Sequence, residues 1–129
     1  MKMKNTISWI ARIVVAVILL QTLFFKFTAA PESVYIFETV GMEPFGRIGA
    51  GIAELIASIL LLIPRTKIYG ALMSFGVIAG AVFFHLTILG IEVMDDGGTL
   101  FILAIIVLVL SLILIVLHKE EIPFLSLKK

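Results

Sequence analysis

Long apolar stretches dominate the chain, and few polar residues interrupt them. The clearest stretch runs from Thr99 to Leu117 and has one internal polar side chain, Ser111. Another, from Ile68 to Ile91, contains a single histidine, His85, and no acidic or other basic residue. At ~1.5 Å rise per residue, about 20 such residues cross a hydrocarbon core of ~30 Å. The pattern therefore predicts membrane-spanning helices.

Four such helices are predicted, over about residues 7–27, 45–63, 68–91 and 99–118. Pro64 ends the second helix, and Gly97-Gly98 interrupt the chain before the fourth. Between the first two, Pro31 suits the first position of a helix and Gly41 suits its end. A short helix over about residues 31–40 would then lie in the membrane surface. An ordered loop with incidental apolar residues is the alternative.

Charged residues divide between the two ends of this arrangement. The basic group is Lys2, Lys4, Arg12, Arg65, Lys67, Lys119, Lys128 and Lys129, and the acidic group is Glu32, Glu38, Glu43, Glu92, Asp95 and Asp96. Because positive charge stays cytoplasmic, both termini are expected inside the cell. The fold class predicted is all-α: one integral membrane four-helix bundle, N-in/C-in, over residues 1–129, in the inner (cytoplasmic) membrane. The rival interpretation makes residues 1–30 a signal peptide cleaved after Thr28-Ala29-Ala30.

The composition of the chain excludes several classes of functional site. The chain is 61% hydrophobic, against ~45–50% for globular proteins. It has no cysteine, which excludes disulfides, thiolate zinc sites, iron–sulfur clusters and thiol relays. No basic stripe favours nucleic acid as a partner. The two histidines, His85 and His118, fall on opposite sides of the membrane, and no three metal ligands share a convincing spacing. No metal and no covalently bound cofactor are expected.

Ionisable and amide side chains inside the predicted spans concentrate at one depth. Glu54 lies roughly 12 Å and His85 roughly 9 Å from the outer surface. Gln21 is at a similar depth, and Lys26 and Arg47 flank the same half. A lone carboxylate in lipid costs several kcal/mol, so Glu54 should be paired or protonated. We predict that Glu54 faces the bundle interior with His85 and Lys26, lining a polar cavity that opens to the outer face.

Each residue also has a purely structural interpretation. Glu54 could form an ion pair that fixes helix register. His85 could donate a hydrogen bond between helices. Lys26 could extend its ammonium group to the outer headgroups.

The order of several motifs resembles the DoxX family. The matching motifs are Lys26-Phe27, Pro31-Glu32, Val40 to Pro44 (VGMEP), Gly49 to Leu55 (GAGIAEL), Arg65-Thr66-Lys67 and Ala81 to His85. The resemblance covers about residues 10 to 117. It implies a four-helix integral membrane protein. One archaeal member is the membrane subunit of a thiosulfate:quinone oxidoreductase, and the positions carried over are Lys26, Glu54 and His85.

The expected function is the membrane component of a quinone-linked redox system, with a quinone or similar small lipid in the outer-half cavity. His85 and Lys26 would donate hydrogen bonds to a ring oxygen, and Glu54 would orient them or exchange protons. Electrons would come from a redox partner subunit or a soluble reductant. Two other classes stay open: a non-enzymatic membrane scaffold or assembly factor, and a cofactor-free lipid isomerase. Beyond these, the lipid bilayer is the expected partner.

Overall fold

The chain forms five helices in a computed structural model that describes residues 2–94 and 96–122. The helices are α1 (Lys2–Phe27), α2 (Pro31–Thr39), α3 (Phe45–Leu62), α4 (Lys67–Phe84) and α5 (Thr99–Leu117). Short 3₁₀ turns cover Pro64–Thr66 and Lys119–Glu121, and a π-helical turn, His85–Leu89, extends α4. Asp95, Lys128 and Lys129 of the charge pattern lie outside the described residues, as does the side chain of Lys2.

Four of these helices are long and apolar enough to cross a membrane, which confirms that part of the prediction. They are α1, α3, α5, and α4 together with its flanking turns. At most a third of the residues in any span is buried inside the protein. Large apolar side chains such as Val17, Phe83 and Leu86 are exposed instead. A soluble bundle buries its apolar stripe, so this outward-facing surface indicates a multi-pass membrane protein with lipid as its solvent.

The four long helices pack in a closed ring. α1 and α4 each contact both α3 and α5. Helix α2 contacts α1, α3 and the π-helical turn, so it lies across one end of the ring. Residues with almost no exposure fill the interior: Ala11, Val15, Leu19, Ala57, Leu61, Ala71, Val107 and Leu114.

α3 and α4 approach each other closely at Gly70. A Cβ atom on Gly70 would lie 2.6 Å from the backbone nitrogen of Leu61 and 2.9 Å from the carbonyl oxygen of Ala57. Gly76 and Gly80, further along α4, have open space where a Cβ would be. The two helices are therefore in backbone contact near the Pro64–Thr66 turn and leave room around Gly80.

One end of the ring carries a network of charged side chains and is called the basic end below. Lys4 pairs with Glu120 at 3.2 Å, and Lys67 pairs with Glu121 at 3.0 Å. The buried His118 ring lies between the hydroxyl of Ser8, 2.7 Å from Nε2, and Glu121, 3.3 Å from Nδ1. These contacts bring the start of α1, the start of α4 and the end of α5 together. Neighbouring long helices are consequently antiparallel.

Arg12 is buried at this end rather than extended toward water. Its Nε donates to the carbonyl of Leu61 at 2.6 Å, and its guanidinium lies 3.7 Å from the centroid of the Trp9 ring. The last carbonyls of an α-helix have no partner within the helix. Arg12 therefore caps α3 from a neighbouring helix while its charge is stabilised by an aromatic face.

At the opposite end, called the acidic end, Asp96 organises the start of α5. Its carboxylate accepts hydrogen bonds from the backbone N–H groups of Val93, Gly98 and Leu100 at 2.8–3.1 Å. Burial alone would raise the pKa of Asp96, but these three bonds outweigh it and hold the pKa below its ordinary value. The Asp96 carboxylate thus satisfies one of the free N–H groups of α5, that of Leu100, and holds the loop that precedes the helix.

Adding one methyl group at Gly70 should destabilise the bundle. Gly70→Ala forces the backbones of α3 and α4 apart, which costs roughly 1–3 kcal/mol by the usual penalty for overpacking. The free energy of unfolding in mixed micelles measures the effect. Gly76→Ala is the matched control, because its methyl group meets open space. Equal stability of the two variants would show that the close contact is absent.

The stability of the basic end should fall in mild acid. Burial lowers the pKa of His118 from its ordinary 6.5, Lys67 lowers it further and Glu121 opposes the shift. The unfolded chain therefore binds a proton at a higher pH than the folded chain does. Stability is complete above pH 6.5 and is lost as the pH falls through the folded-state pKa. Thermal unfolding across this range should show that slope in the native protein and a flatter one in His118→Gln. An identical slope in both contradicts the assignment.

Candidate functional site: a polar-walled cavity

A cavity of about 770 Å³ occupies the acidic half of the bundle and is bounded by all five helices. Pockets that hold a small organic ligand have volumes of ~300–1,000 Å³. Most of its wall is apolar, with Ile18, Leu19, Ile36, Phe37, Val77, Ile78, Phe84, Leu100 and Leu103 among the residues that line it. Helix α2 contributes to this wall, so the short helix covers the cavity.

The polar part of the wall centres on Glu54, whose side chain is 3% exposed. Lys26 Nζ lies 3.1 Å from Oε1 and 3.3 Å from Oε2 of Glu54. Only the contact with Oε2 has hydrogen-bond geometry, and Thr22 Oγ1 donates to the same oxygen at 3.2 Å. Within the described chain, Oε1 is buried and has no hydrogen-bond donor.

Helical spacing explains how α1 reaches this carboxylate. Thr22 and Lys26 are four residues apart, so they lie one above the other on the same face of α1. That face packs against α3, where Glu54 points toward it. An ionised carboxylate at this depth would be stabilised by the adjacent ammonium group.

His85 forms a second polar element of the wall, at the start of the π-helical turn. Its ring is 5% exposed and packs edge-on against Phe101, with 5.4 Å between centroids. Nδ1 is 2.9 Å from the carbonyl oxygen of Gly90. A carbonyl only accepts, so Nδ1 carries the proton, and Nε2 of the neutral ring is an acceptor. Among the described residues no hydrogen bond or ion pair joins His85 to Glu54, although both line the cavity.

The other two predicted site residues lie away from the cavity. Arg47 is buried, its Nε lies 2.9 and 3.0 Å from the two carboxylate oxygens of Glu43, and its Nη1 donates to the carbonyl of Lys26. It therefore braces the end of α1 against α3 without lining the cavity. Gln21 is exposed on the outer face of α1 and is also absent from the cavity wall.

Five polar residues of the wall were not among the predicted site residues: Thr22, Glu32, Ser33, Asp96 and Thr99. Thr22 could have been identified from its position one turn before Lys26. Asp96 belongs to the outer acidic group and was a candidate cap of the last predicted span; the structure has it bonding to the start of α5 and also lining the cavity.

A three-residue group at the basic end has the composition of a metal site. Ligand atoms of His118, Glu120 and Glu121 lie within 4.8 Å of one another. Lys4 and Lys67 already neutralise the two carboxylates. The lysines and the Ser8 contact account for this cluster without a metal ion.

Comparison with known proteins gives no match for this chain among family models, curated proteins or solved structures. The DoxX resemblance thus stays a prediction from the motifs of the sequence. The properties of the cavity have to be argued from its own residues.

Removing the ammonium group alone should be more damaging than neutralising the pair. Lys26→Met leaves a buried carboxylate without its cation, which should cost about 3 kcal/mol of unfolding free energy. The double variant Lys26→Met/Glu54→Gln should recover most of that loss, because no buried charge is left. Unfolding of the single and double variants in mixed micelles measures this coupling. Additive losses would show that the two groups do not form a pair.

Proposed function

We propose that this chain is the membrane component of a quinone-linked redox system and binds a quinone, or a small lipid of similar shape, in the cavity. The observation that carries the proposal is the cavity itself: about 770 Å³, mostly apolar, with Lys26, Glu54 and His85 in its wall. Such sites combine an apolar body with a few polar groups that fix ligand orientation. A ring with polar oxygens and an isoprenoid tail has the complementary distribution.

The proposed roles follow from the hydrogen-bond positions still available. The ammonium group of Lys26 has three N–H donors, and the group lies against both oxygens of one carboxylate, which leaves a donor for a ring oxygen. The apolar wall would hold the tail. His85 takes a different role from the one that sequence analysis gave it, since its free nitrogen in the neutral ring accepts a hydrogen bond.

The topology proposed is N-in/C-in in the inner membrane, and the charge distribution supports it. The described basic residues Lys4, Lys67 and Lys119 are at the end where α1 begins and α5 ends. Retention of positive charge in the cytoplasm would put this basic end inside the cell. The acidic end would then be extracytoplasmic, with α2 as an interfacial helix over the mouth of the cavity.

A bound quinone would supply a two-electron carrier. The chain has no cysteine, so the electrons are proposed to come from a partner subunit or a soluble reductant. Glu54 and Lys26 are close enough to share a proton, and Oε1 is the atom at which the pair could take one from a ligand. The DoxX resemblance supports the same conclusion, because one member of that family is the membrane subunit of a quinone oxidoreductase.

Filling the cavity should displace the ligand without breaking the fold. Gly80 lines the cavity and has open space at its Cβ position, so Gly80→Leu places a side chain inside it. Gly76→Leu is the matched control, since Gly76 also has open space but lies outside the cavity wall. We expect binding of a short-tailed quinone to weaken at least ~10-fold in Gly80→Leu only.

Two measurements check this. Equilibrium dialysis of the purified protein gives the affinity, and mass spectrometry of the lipid extract identifies molecules that co-purify with it. If the folded Gly80→Leu protein keeps native affinity and the same co-purifying molecule, the ligand does not bind in this cavity and the proposal is wrong.

A further inference from the structure

We infer that the cavity selects the hydroxyl-bearing, reduced form of a ring lipid, a hydroquinone, over the corresponding quinone, with Glu54 Oε1 as the acceptor for the ligand hydroxyl. This inference rests on the proposed function, because it assumes that the cavity binds a ring lipid. It specifies the oxidation state of the ligand that the protein binds more tightly. It also specifies the atom that distinguishes the hydroquinone from the quinone.

The first step is the unused acceptor on Glu54. Oε2 takes hydrogen bonds from both Lys26 and Thr22, whereas Oε1 takes none, although it is buried and belongs to a residue of the cavity wall. Oε1 has the charge of the Lys26 ammonium group 3.1 Å away but no donor in hydrogen-bond geometry, and a carboxylate oxygen is a strong acceptor. A ligand that brings an O–H group supplies that donor, whereas a ligand with only carbonyl oxygens does not.

The second step is the neighbouring ammonium group. Lys26 Nζ is 3.1 Å from the same Oε1, so a ligand oxygen placed beside that atom also lies near a donor. A hydroxyl group both donates and accepts, so it can satisfy Glu54 and Lys26 together. A carbonyl oxygen can accept a hydrogen bond from Lys26 only. It would also be repelled by the neighbouring carboxylate oxygen, because both atoms carry negative charge.

The third step is His85, where the tautomer is fixed by the Gly90 carbonyl. In the neutral ring the other nitrogen, Nε2, is then a second acceptor on a residue of the same cavity wall. Asp96 is a weaker candidate than Glu54, because its carboxylate already accepts hydrogen bonds from three backbone N–H groups. The Ser33 hydroxyl also lines the cavity, and it serves either form of ligand because it can donate or accept.

Three ligands with the same short prenyl tail test the inference: a hydroquinone, its quinone and its dimethyl ether. Affinities are measured without oxygen on the purified full chain in lipid nanodiscs. We expect the hydroquinone to bind at least ~10-fold more tightly than either of the others, since an unsatisfied buried acceptor in the site penalises them. The dimethyl ether shows whether the O–H donors or the ring itself determine affinity, because it has the same ring and both oxygens but no O–H group.

The outcomes distinguish this inference from the proposed function. Equal affinity for the three ligands, or tighter binding of the quinone, overturns the inference and leaves ring-lipid binding in place. Absence of binding for all three overturns the proposed function itself.

A variant then assigns the discrimination to one atom. Glu54→Met, which has no oxygen to accept a hydrogen bond, should reduce the affinity ratio of hydroquinone to dimethyl ether to near one. Glu121→Met, at a paired carboxylate of the basic end, should keep the native ratio. If Glu54→Met does not fold, Lys26→Met/Glu54→Met removes both charges and the same acceptor. A native ratio in a folded variant lacking the Glu54 carboxylate overturns the assignment.

Discussion

An ion pair within the apolar interior connects two of the long helices and lies in the wall of the cavity. The carboxylate of Glu54 on α3 is 3% exposed, and the ammonium group of Lys26 on α1 lies 3.1 Å away. In lipid neither charge could exist alone at that depth, so each requires the other. The pair fixes how α1 and α3 face one another. It also places two ionisable groups in a wall that is mostly apolar.

The cavity exists because the bundle is packed unevenly along its length. Near the basic end α3 and α4 touch through their backbones at Gly70, and Arg12 bonds from α1 to the end of α3. Toward the acidic end, Gly80 faces open space, and α2 lies across the opening. Close packing near the basic end holds the helices in register, so the cavity toward the acidic end does not collapse. Helix association in lipid depends on such close backbone contacts, since lipid provides no hydrophobic drive.

The sequence predicted the spans well, because the length and apolarity of a membrane helix are set by the bilayer. It also identified Lys26, Glu54 and His85 as the ionisable residues at one depth. It could not give the direction of each side chain around its helix. Gln21 and Thr22 are adjacent, but a rotation of ~100° per residue turns one outward and the other toward Glu54.

Contacts that involve several helices could not be predicted from the sequence either. His118 reads as an ordinary charged helix end, yet it is buried between Ser8 and Glu121 from distant parts of the chain. Arg12 lies near a span boundary, where an extended conformation toward the headgroups is the usual outcome. The position of Leu61 and of the Trp9 ring decides otherwise. The π-helical turn that fixes the tautomer of His85 has no marker of its own in the sequence.

The network at the basic end has a consequence for how the protein is made. Lys4 is separated from its partner Glu120 by 116 positions, and Lys67 from Glu121 by 54. Ribosomes synthesise the last helix after the other three, so both lysines emerge long before their carboxylates. Until then they are free to bind anionic lipid headgroups, which would anchor the early helices in one direction. Arrival of residues 118–121 would exchange those lipid contacts for internal ones and close the ring of four long helices.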